Sequence, residues 1–427
     1  MNIKKYKWFV LITLSVFLII QSADTYVISA VVKPIMDEFG LNYESMGLLF
    51  TWTVVISTLI YPVWGYLYDK YSRKFLTTLL ALILGSTTWM NAISRSFSQF
   101  FVTRLLTSTG LSVPSGIYTL TADYFEPQKR GTAMGYINAA APIGYLLGII
   151  LPLSIIGAGL SWRYSFFVTG GLSLIVGFII YFFVKEIPRG SSEPELAGKL
   201  TEEIYKVKFS DLIKILKNRS LFFLFAQSFF GTIPWTTISY WMITYMGVER
   251  KLAPDLISII MLLWIIFMVL GNIVSGYIND ILFKKTLRGR VILGTIVVFL
   301  SAIFLYLTIY SISFEYFIIF GTITAFTIPM AGPSVNASIL DVTEPELRGS
   351  ATAYSNFFGS LGSSLGPFLA SIIATSASLG FAIALIGSIT WIICGIFFTV
   401  LIFIIPRDII HLKNILVQRS NELAFKK

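Results

Sequence analysis

The sequence predicts an all-α membrane protein in which twelve transmembrane helices form two six-helix bundles, the second a parallel copy of the first. Three observations carry this expectation. The composition holds more apolar residues than a soluble fold could bury, the apolar residues gather in twelve runs, and an internal repeat relates the first six runs to the last six.

Of the 427 residues, 56% are apolar before 32 Gly are added, and only 13% are charged. Soluble domains carry about 45–50% apolar residues with Gly included, and about 25% charged. A soluble chain of this size would expose the surplus and aggregate. A disordered chain needs the opposite composition. One cysteine, Cys394, and one histidine, His411, exclude a disulfide framework, a Cys-cluster or His-pair metal site, and Ser-His or Cys-His triads within the spans. No catalytic residues, metal or cofactor are expected.

A helix needs about 20 mostly apolar residues to cross about 30 Å of hydrocarbon. Charged and Pro/Gly-rich breaks mark such runs at 8–31, 45–68, 75–93, 98–124, 132–159 and 164–184, then at 220–246, 255–279, 291–310, 315–342, 350–375 and 379–405. We number these spans 1 to 12. With a cytoplasmic N-terminus, 26 of the 32 Lys and Arg fall on the cytoplasmic side and five on the other, and only Arg104 lies within a span. The positive-inside rule therefore expects both termini in the cytoplasm and a multi-pass protein of the cell membrane. The net charge of +10 follows from this topology and its attraction to anionic lipid, so no nucleic-acid partner is expected. The first apolar run is too long for a cleaved signal and carries Asp24, and a second span follows after a short turn.

The expected organisation is a bundle over 1–189, a cytoplasmic linker over 190–219, a second bundle over 220–405 and a cytoplasmic tail over 406–427. Phe209, Leu212, Ile213 and Leu216 give the linker an amphipathic stretch at helical spacing.

The repeat is explicit. Asp123, Glu126, Pro127, Arg130, Gly131, Ala133, Tyr136, Asn138, Gly144 and Gly148 recur 218 residues later as Asp341, Glu344, Pro345, Arg348, Gly349, Ala351, Tyr354, Asn356, Gly362 and Gly366. A second element, Gly65, Tyr66 and Asp69 followed by Arg73 and Lys74, recurs as Gly276, Tyr277 and Asp280 followed by Lys284 and Lys285. Its offset is 211, so seven residues were gained or lost between the two elements. Equivalent loops fall on one side of the membrane, which makes the repeat parallel.

The stretch Gly65-Tyr-Leu-Tyr-Asp69-Lys70-Tyr-Ser72-Arg73-Lys74 resembles the hallmark element of the major facilitator superfamily, with Ser72 in place of the usual Gly. Twelve spans, the six-plus-six repeat, and Arg104 followed by Gly110 and Pro114 in span 4 extend the resemblance over the whole chain. Within that superfamily the first half is most similar to the Spinster-type organic-anion and lysolipid branch. The shared residues are Asp24, Gly47-Leu48-Leu49, Pro62, the hallmark stretch, and Glu186-Ile-Pro188-Arg189-Gly190. Thr25 and Leu111 depart from that branch, which usually has Arg and Glu there.

The resemblance implies a monomeric secondary transporter that carries a small molecule by alternating access. It places Asp69 near Gly349 and Asp280 near Gly131, where a carboxylate at a helix N-terminus gains about 0.3–1 kcal/mol, and up to about 2 when partly buried. Gly65, Asp69, Arg73, Arg130, Gly276, Asp280 and Arg348 are thus the expected conformational gate.

Asp24 and Arg104 are the charges well inside the spans, each costing about 2.5–3.5 kcal/mol at a helix centre. They lie about 13 Å and about 9 Å from the same end of spans 1 and 4. The resemblance makes these spans neighbours lining a central cavity, so the two residues are expected to pair and face it. Burial disfavours the carboxylate's charge and a guanidinium favours it, which suits Asp24 to binding and releasing a proton. Arg104 is also suited to holding an anionic substrate in competition with Asp24.

Further expected substrate contacts are Tyr118, Asn138, Tyr145, Gln227, Trp235, Tyr240, Asn336 and Asn356, with the repeat-equivalent Asn138 and Asn356 facing each other at the midplane. The expected function is proton-coupled symport or antiport of a small organic anion or amphipathic molecule. The alternatives are a multidrug or lysolipid-like exporter and a transport-dead sensor. No Gly-rich nucleotide-binding loop is present to support ATP-driven transport.

Overall fold

A computed structural model describes residues 3–41, 43–196 and 211–425. Span 1 is α1 (Ile3–Ala30). Where only a turn was expected, α2 (Val32–Phe39) follows; it buries Ile35 and Met36 on one face and ends at Gly40, whose φ of +64° suits glycine. Spans 2 and 3 are α3 (Tyr43–Lys70) and α4 (Arg73–Ile93), and the Ser72 hydroxyl caps α4 by accepting from the Phe75 N–H.

Span 4 is broken into α5 (Phe97–Thr107), a 3-10 stretch over Ser108–Ser112, and α6 (Val113–Tyr124). The first half closes with α7 (Arg130–Gly157) and α8 (Arg163–Phe183). Short α9 (Asp211–Lys217) precedes α10 (Arg219–Val248), α11 (Pro254–Lys285) and α12 (Gly289–Tyr310), which are spans 7 to 9. Span 10 is broken too, into α13 (Phe314–Thr327), a 3-10 stretch over Ile328–Met330, and α14 (Ala331–Val342). Adding the repeat offset of 218 to 108–112 gives 326–330, so the two breaks are repeat-equivalent. Last come α15 (Arg348–Ser376) and α16 (Leu379–Phe425).

Among the described residues, eleven helical paths are long and apolar enough to cross a membrane. The twelfth is the broken α5–α6 path, whose hydropathy Arg104 and the small polar residues around it lower. Apolar side chains such as Phe182, Phe183 and Phe403 stand exposed around the perimeter, where lipid replaces water as the solvent.

The structure adds detail to the tail and the linker. The tail does not separate at 406: α16 runs through Pro406 to Phe425, because Leu412 and Leu416 pack on Leu196 of the linker and Arg419 pairs with Glu344 and, at 3.0 Å, with Glu346. In α9 the buried residue is Ile215, while Ile213 and Leu216 are exposed; Phe209 and the side chain of Leu212 lie outside what is described.

Within the halves, α1 packs on α7 and α4 on α8, while α10 packs on α15 and α16. Between the halves, α3 crosses α15 and α7 crosses α11. The repeated glycines make these crossings possible. A Cβ on Gly65 would lie 2.4 Å from that of Ala353, and one on Gly276 would lie 2.7 Å from the Gly131 carbonyl oxygen. No larger residue fits where the helices touch at backbone distance.

Candidate transport site and gate

Hydrogen bonds joining the halves gather on the face that carries the linker and tail, here called the basic face. Asp69, at the end of α3, accepts from the Gly349 and Ser350 N–H groups at the start of α15, both at 2.7 Å. Asp280, near the end of α11, accepts from the Gly131 and Thr132 N–H groups at the start of α7, both at 2.8 Å, and from the Thr132 hydroxyl at 2.6 Å. Each carboxylate meets the free N–H groups and positive dipole end of a helix in the other half.

Behind each latch stands a buried Arg–Asp pair, Arg73 with Asp123 and Arg290 with Asp341. Arg290, not Lys284 or Lys285, is therefore the counterpart of Arg73. Ten residues separate Asp280 from Arg290 and four separate Asp69 from Arg73, so the longer loop hid the match. The arginines that open α7 and α15 also reach across: Arg130 lies 3.5 Å from Asp341 and Arg348 lies 3.8 Å from Asp123. Between them sits Glu193 of the linker, whose Oε1 accepts from both Arg130 and Arg348 at 2.5 Å. Burial opposes its charge, but the two guanidinium groups hold its carboxyl well below the usual range, at about 2.

Asp24 and Arg104 lie together. Arg104 Nη1 donates to Asp24 Oδ2 at 3.3 Å, and its Nη2 donates to the carbonyl oxygens of Asp24 and Thr25 at 3.1 and 3.3 Å. The hydroxyls of Thr88 on α4 and Thr169 on α8 donate to Asp24 Oδ1 at 3.1 and 2.9 Å. Sequence reading missed these two threonines, because hydroxyls inside spans carry no signal of their own. The expected outlook is wrong: the pair faces α4, α5 and α8 within the first half, and neither residue lines the cavity. On a helix, Ser22 and Tyr26 stand about 200° from Asp24, and those two do line it.

The cavity, of about 180 Å³, lies between α1 and α7 of the first half and α10 to α13 of the second. Tyr26, Tyr145, Trp235 and Trp264 give it aromatic walls, with Met242, Met261 and Met268 beside them. Among the described residues, no charged one lines it. Of the expected contacts, Tyr145 and Trp235 are present. Gln227 is buried beside Cys394 between α10 and α16, and Tyr240 is 67% exposed and outside the lining.

Tyr118, Asn138, Asn336 and Asn356 instead form a polar layer between the halves. Asn138 Oδ1 accepts from Asn336 Nδ2 at 3.1 Å and from the Tyr118 hydroxyl at 3.3 Å, while Asn356 Nδ2 donates to Ser115 Oγ at 3.2 Å. Asn138 and Asn356 thus each pair across the interface with spans 10 and 4, not with each other. With 218 separating Tyr118 from Asn336, the Asn138 cluster joins two repeat-equivalent positions.

A sequence model of the Major Facilitator Superfamily matches residues 14–308 and 251–415. The chain is 26% identical over 383 residues to the "Cis,cis-muconate transport protein" of Acinetobacter baylyi, covering 89% of this chain and 90% of that protein. It is 24% identical over 363 residues to the "Hexuronate transporter" of Bacillus subtilis, covering 83% and 85%. To "Protein spinster homolog 1" of Xenopus tropicalis it is 28% identical over 233 residues, which are 53% of this chain and 43% of that longer protein. Among solved structures, the human organic anion transporter MFSD10 (TETRAN) shares the fold with a TM-score of 0.72 at 15% identity, covering 93% of this chain and 99% of that one. Span count, repeat, latches and family match agree: the chain belongs to the Major Facilitator Superfamily and is a multi-pass membrane transporter.

Proposed function

We propose that the protein carries an organic anion across the cell membrane by proton-coupled alternating access, with α1 as the coupling element. The observation that carries this reading is the Asp24–Arg104 pair, buried within the spans and apart from the buried charges gathered at the basic face. Its position behind α1 argues against direct competition between substrate and Asp24 for Arg104. The coupling runs through the helix: substrate touches Ser22 and Tyr26 on one face, and the proton is taken up by Asp24 on the other. Protonation weakens the grip of Arg104, freeing α1 to tilt against α4 and α8.

The substrate class draws on two supports. The relatives matched along most of their length are named for muconate and hexuronate, both carboxylates. The cavity offers aromatic and thioether walls with phenol and hydroxyl donors, which suit a planar or unsaturated body bearing a carboxylate. A lipid-like amphiphile is the second reading, favoured by the apolar walls and the Spinster relatives. Both termini are assigned to the cytoplasm from the Lys/Arg bias, which makes the latched basic face the cytoplasmic one and directs the cavity outward.

The test is uptake of labelled dicarboxylates into proteoliposomes under an imposed pH gradient. Wild type should accumulate substrate with the gradient, and Asp24→Asn should only equilibrate it. Equal gradient-driven accumulation by Asp24→Asn would overturn the coupling role.

A further inference from the structure

The gate on the basic face is built almost wholly of repeated residues, in which Asp69, Arg73, Asp123 and Arg130 answer to Asp280, Arg290, Asp341 and Arg348. Glu193 has no such counterpart. It comes from the linker and touches both halves at once, its Oε1 2.5 Å from Nη2 of Arg130 and 2.5 Å from Nη2 of Arg348. All three side chains are at least nine-tenths buried. Two guanidinium groups from opposite halves would repel each other there, and one shared carboxylate oxygen turns that repulsion into a link.

The linker segment around Glu193 is attached unequally. Toward the first half, the Gly190 N–H donates to Asp123 Oδ1 at 2.7 Å, the Ser192 hydroxyl donates to the Ala122 carbonyl at 2.6 Å, and Arg130 donates to the Ser192 hydroxyl at 3.1 Å. Arg189 adds bonds to the carbonyl oxygens of Tyr68 and Tyr71. Gly190, with φ of +78°, makes the turn that presents Glu193. Toward the second half its polar link is the Glu193–Arg348 pair, supported by packing of Leu196 on Leu412 and Leu416 of the tail helix.

We propose that Glu193 is the releasable clamp of this gate: it travels with the first half, bound to Arg130, and opening of the basic face breaks its bond to Arg348. The linker is then a working part of the gate, and its contact with the tail helix slides in the same step.

Spin labels on the exposed Lys70 and Lys285, one at the basic end of each half, report the opening in full-length protein in nanodiscs. Glu193→Gln keeps the shape and removes the charge. It should raise the long-distance population at least about fivefold, the low end of coupling between sites, and Glu195→Gln should leave it unchanged. A double-mutant cycle then locates the break. Glu193→Gln should lose its effect in an Arg348→Gln background and keep most of it in an Arg130→Gln background. A wild-type distance distribution in Glu193→Gln, or the reverse pattern of backgrounds, would overturn the proposal.

A second measurement does not depend on the charge variants folding. In a Cys394→Ser background, a disulfide between Leu196→Cys and Leu416→Cys should suppress transport, with recovery on reduction. Full transport by the oxidised protein would also overturn the proposal.

Discussion

The two halves share a gate but not a chemistry. Their latches, buried Arg–Asp pairs and broken spans correspond residue by residue. Among the described residues, only the first half carries an ion pair deep within its spans, and the position of Arg104 shifted by 218 is Thr322. The second half instead supplies most of the cavity wall. Duplication thus served the part of transport that must be symmetric, closure and opening. The buried ion pair, to which the proposed reading assigns the drive, exists once.

The largest expected effect breaks this asymmetry at its source. Arg104→Gln leaves Asp24 buried with only two hydroxyl donors and should cost about 3–5 kcal/mol, the usual penalty for removing one partner of a buried pair. It should lower the melting temperature of purified protein and abolish gradient-driven uptake. Thr322→Val, at the equivalent position of the second half, should alter neither.

The latches come next, and they sharpen the comparison. Each should contribute up to about 2 kcal/mol to the closed basic face. Asp280 accepts four bonds, one of them from Arg290 at 3.4 Å, whereas Asp69 accepts two. Asp280→Asn should therefore open the basic face more than Asp69→Asn in a spin-label distance measurement, and equal shifts would show that the extra contacts carry nothing.

The smallest effect is a predicted absence. Glu193 is held at about 2 when clamped and returns toward the ordinary Glu range of about 4.3 when released. A carboxyl lowered in the closed state favours closure fully above the ordinary value, and that contribution fades as pH falls toward 2. The groups facing it are Arg130 and Arg348, with Asp341 and Asp123 behind them. The part of the closed population removed by Glu193→Gln should thus stay constant from pH 5.5 to 8. A slope within that window would place a titrating group at the clamp.

The spans were legible because a bilayer demands long apolar runs. Gly65, Asp69, Gly276 and Asp280 stood out because they keep their spacing in both copies, while their partners near Gly349 and Gly131 came from the family resemblance. Arg290 escaped notice because its loop is longer than its counterpart, so a fixed offset pointed to Lys284 and Lys285. Glu193 was illegible because a residue used once leaves no repeat, and linker acids look like solvated charge until a fold buries them. The outlook of Asp24 was misread for a different reason. Depth along a helix follows from counting residues, but which neighbour a face meets does not. The same limit moved Gln227 out of the cavity and brought Asn138 to Asn336.

The disposition of α1 has one more consequence. Ser22 and Tyr26 look into the cavity while Asp24 looks away from it, so the proposed reading puts cargo and energy source on opposite sides of a single rod. On the proposed reading, residues around Tyr26 can be exchanged to admit a new compound while the drive beneath them stays intact. A transporter wired this way can change its diet without rebuilding its engine.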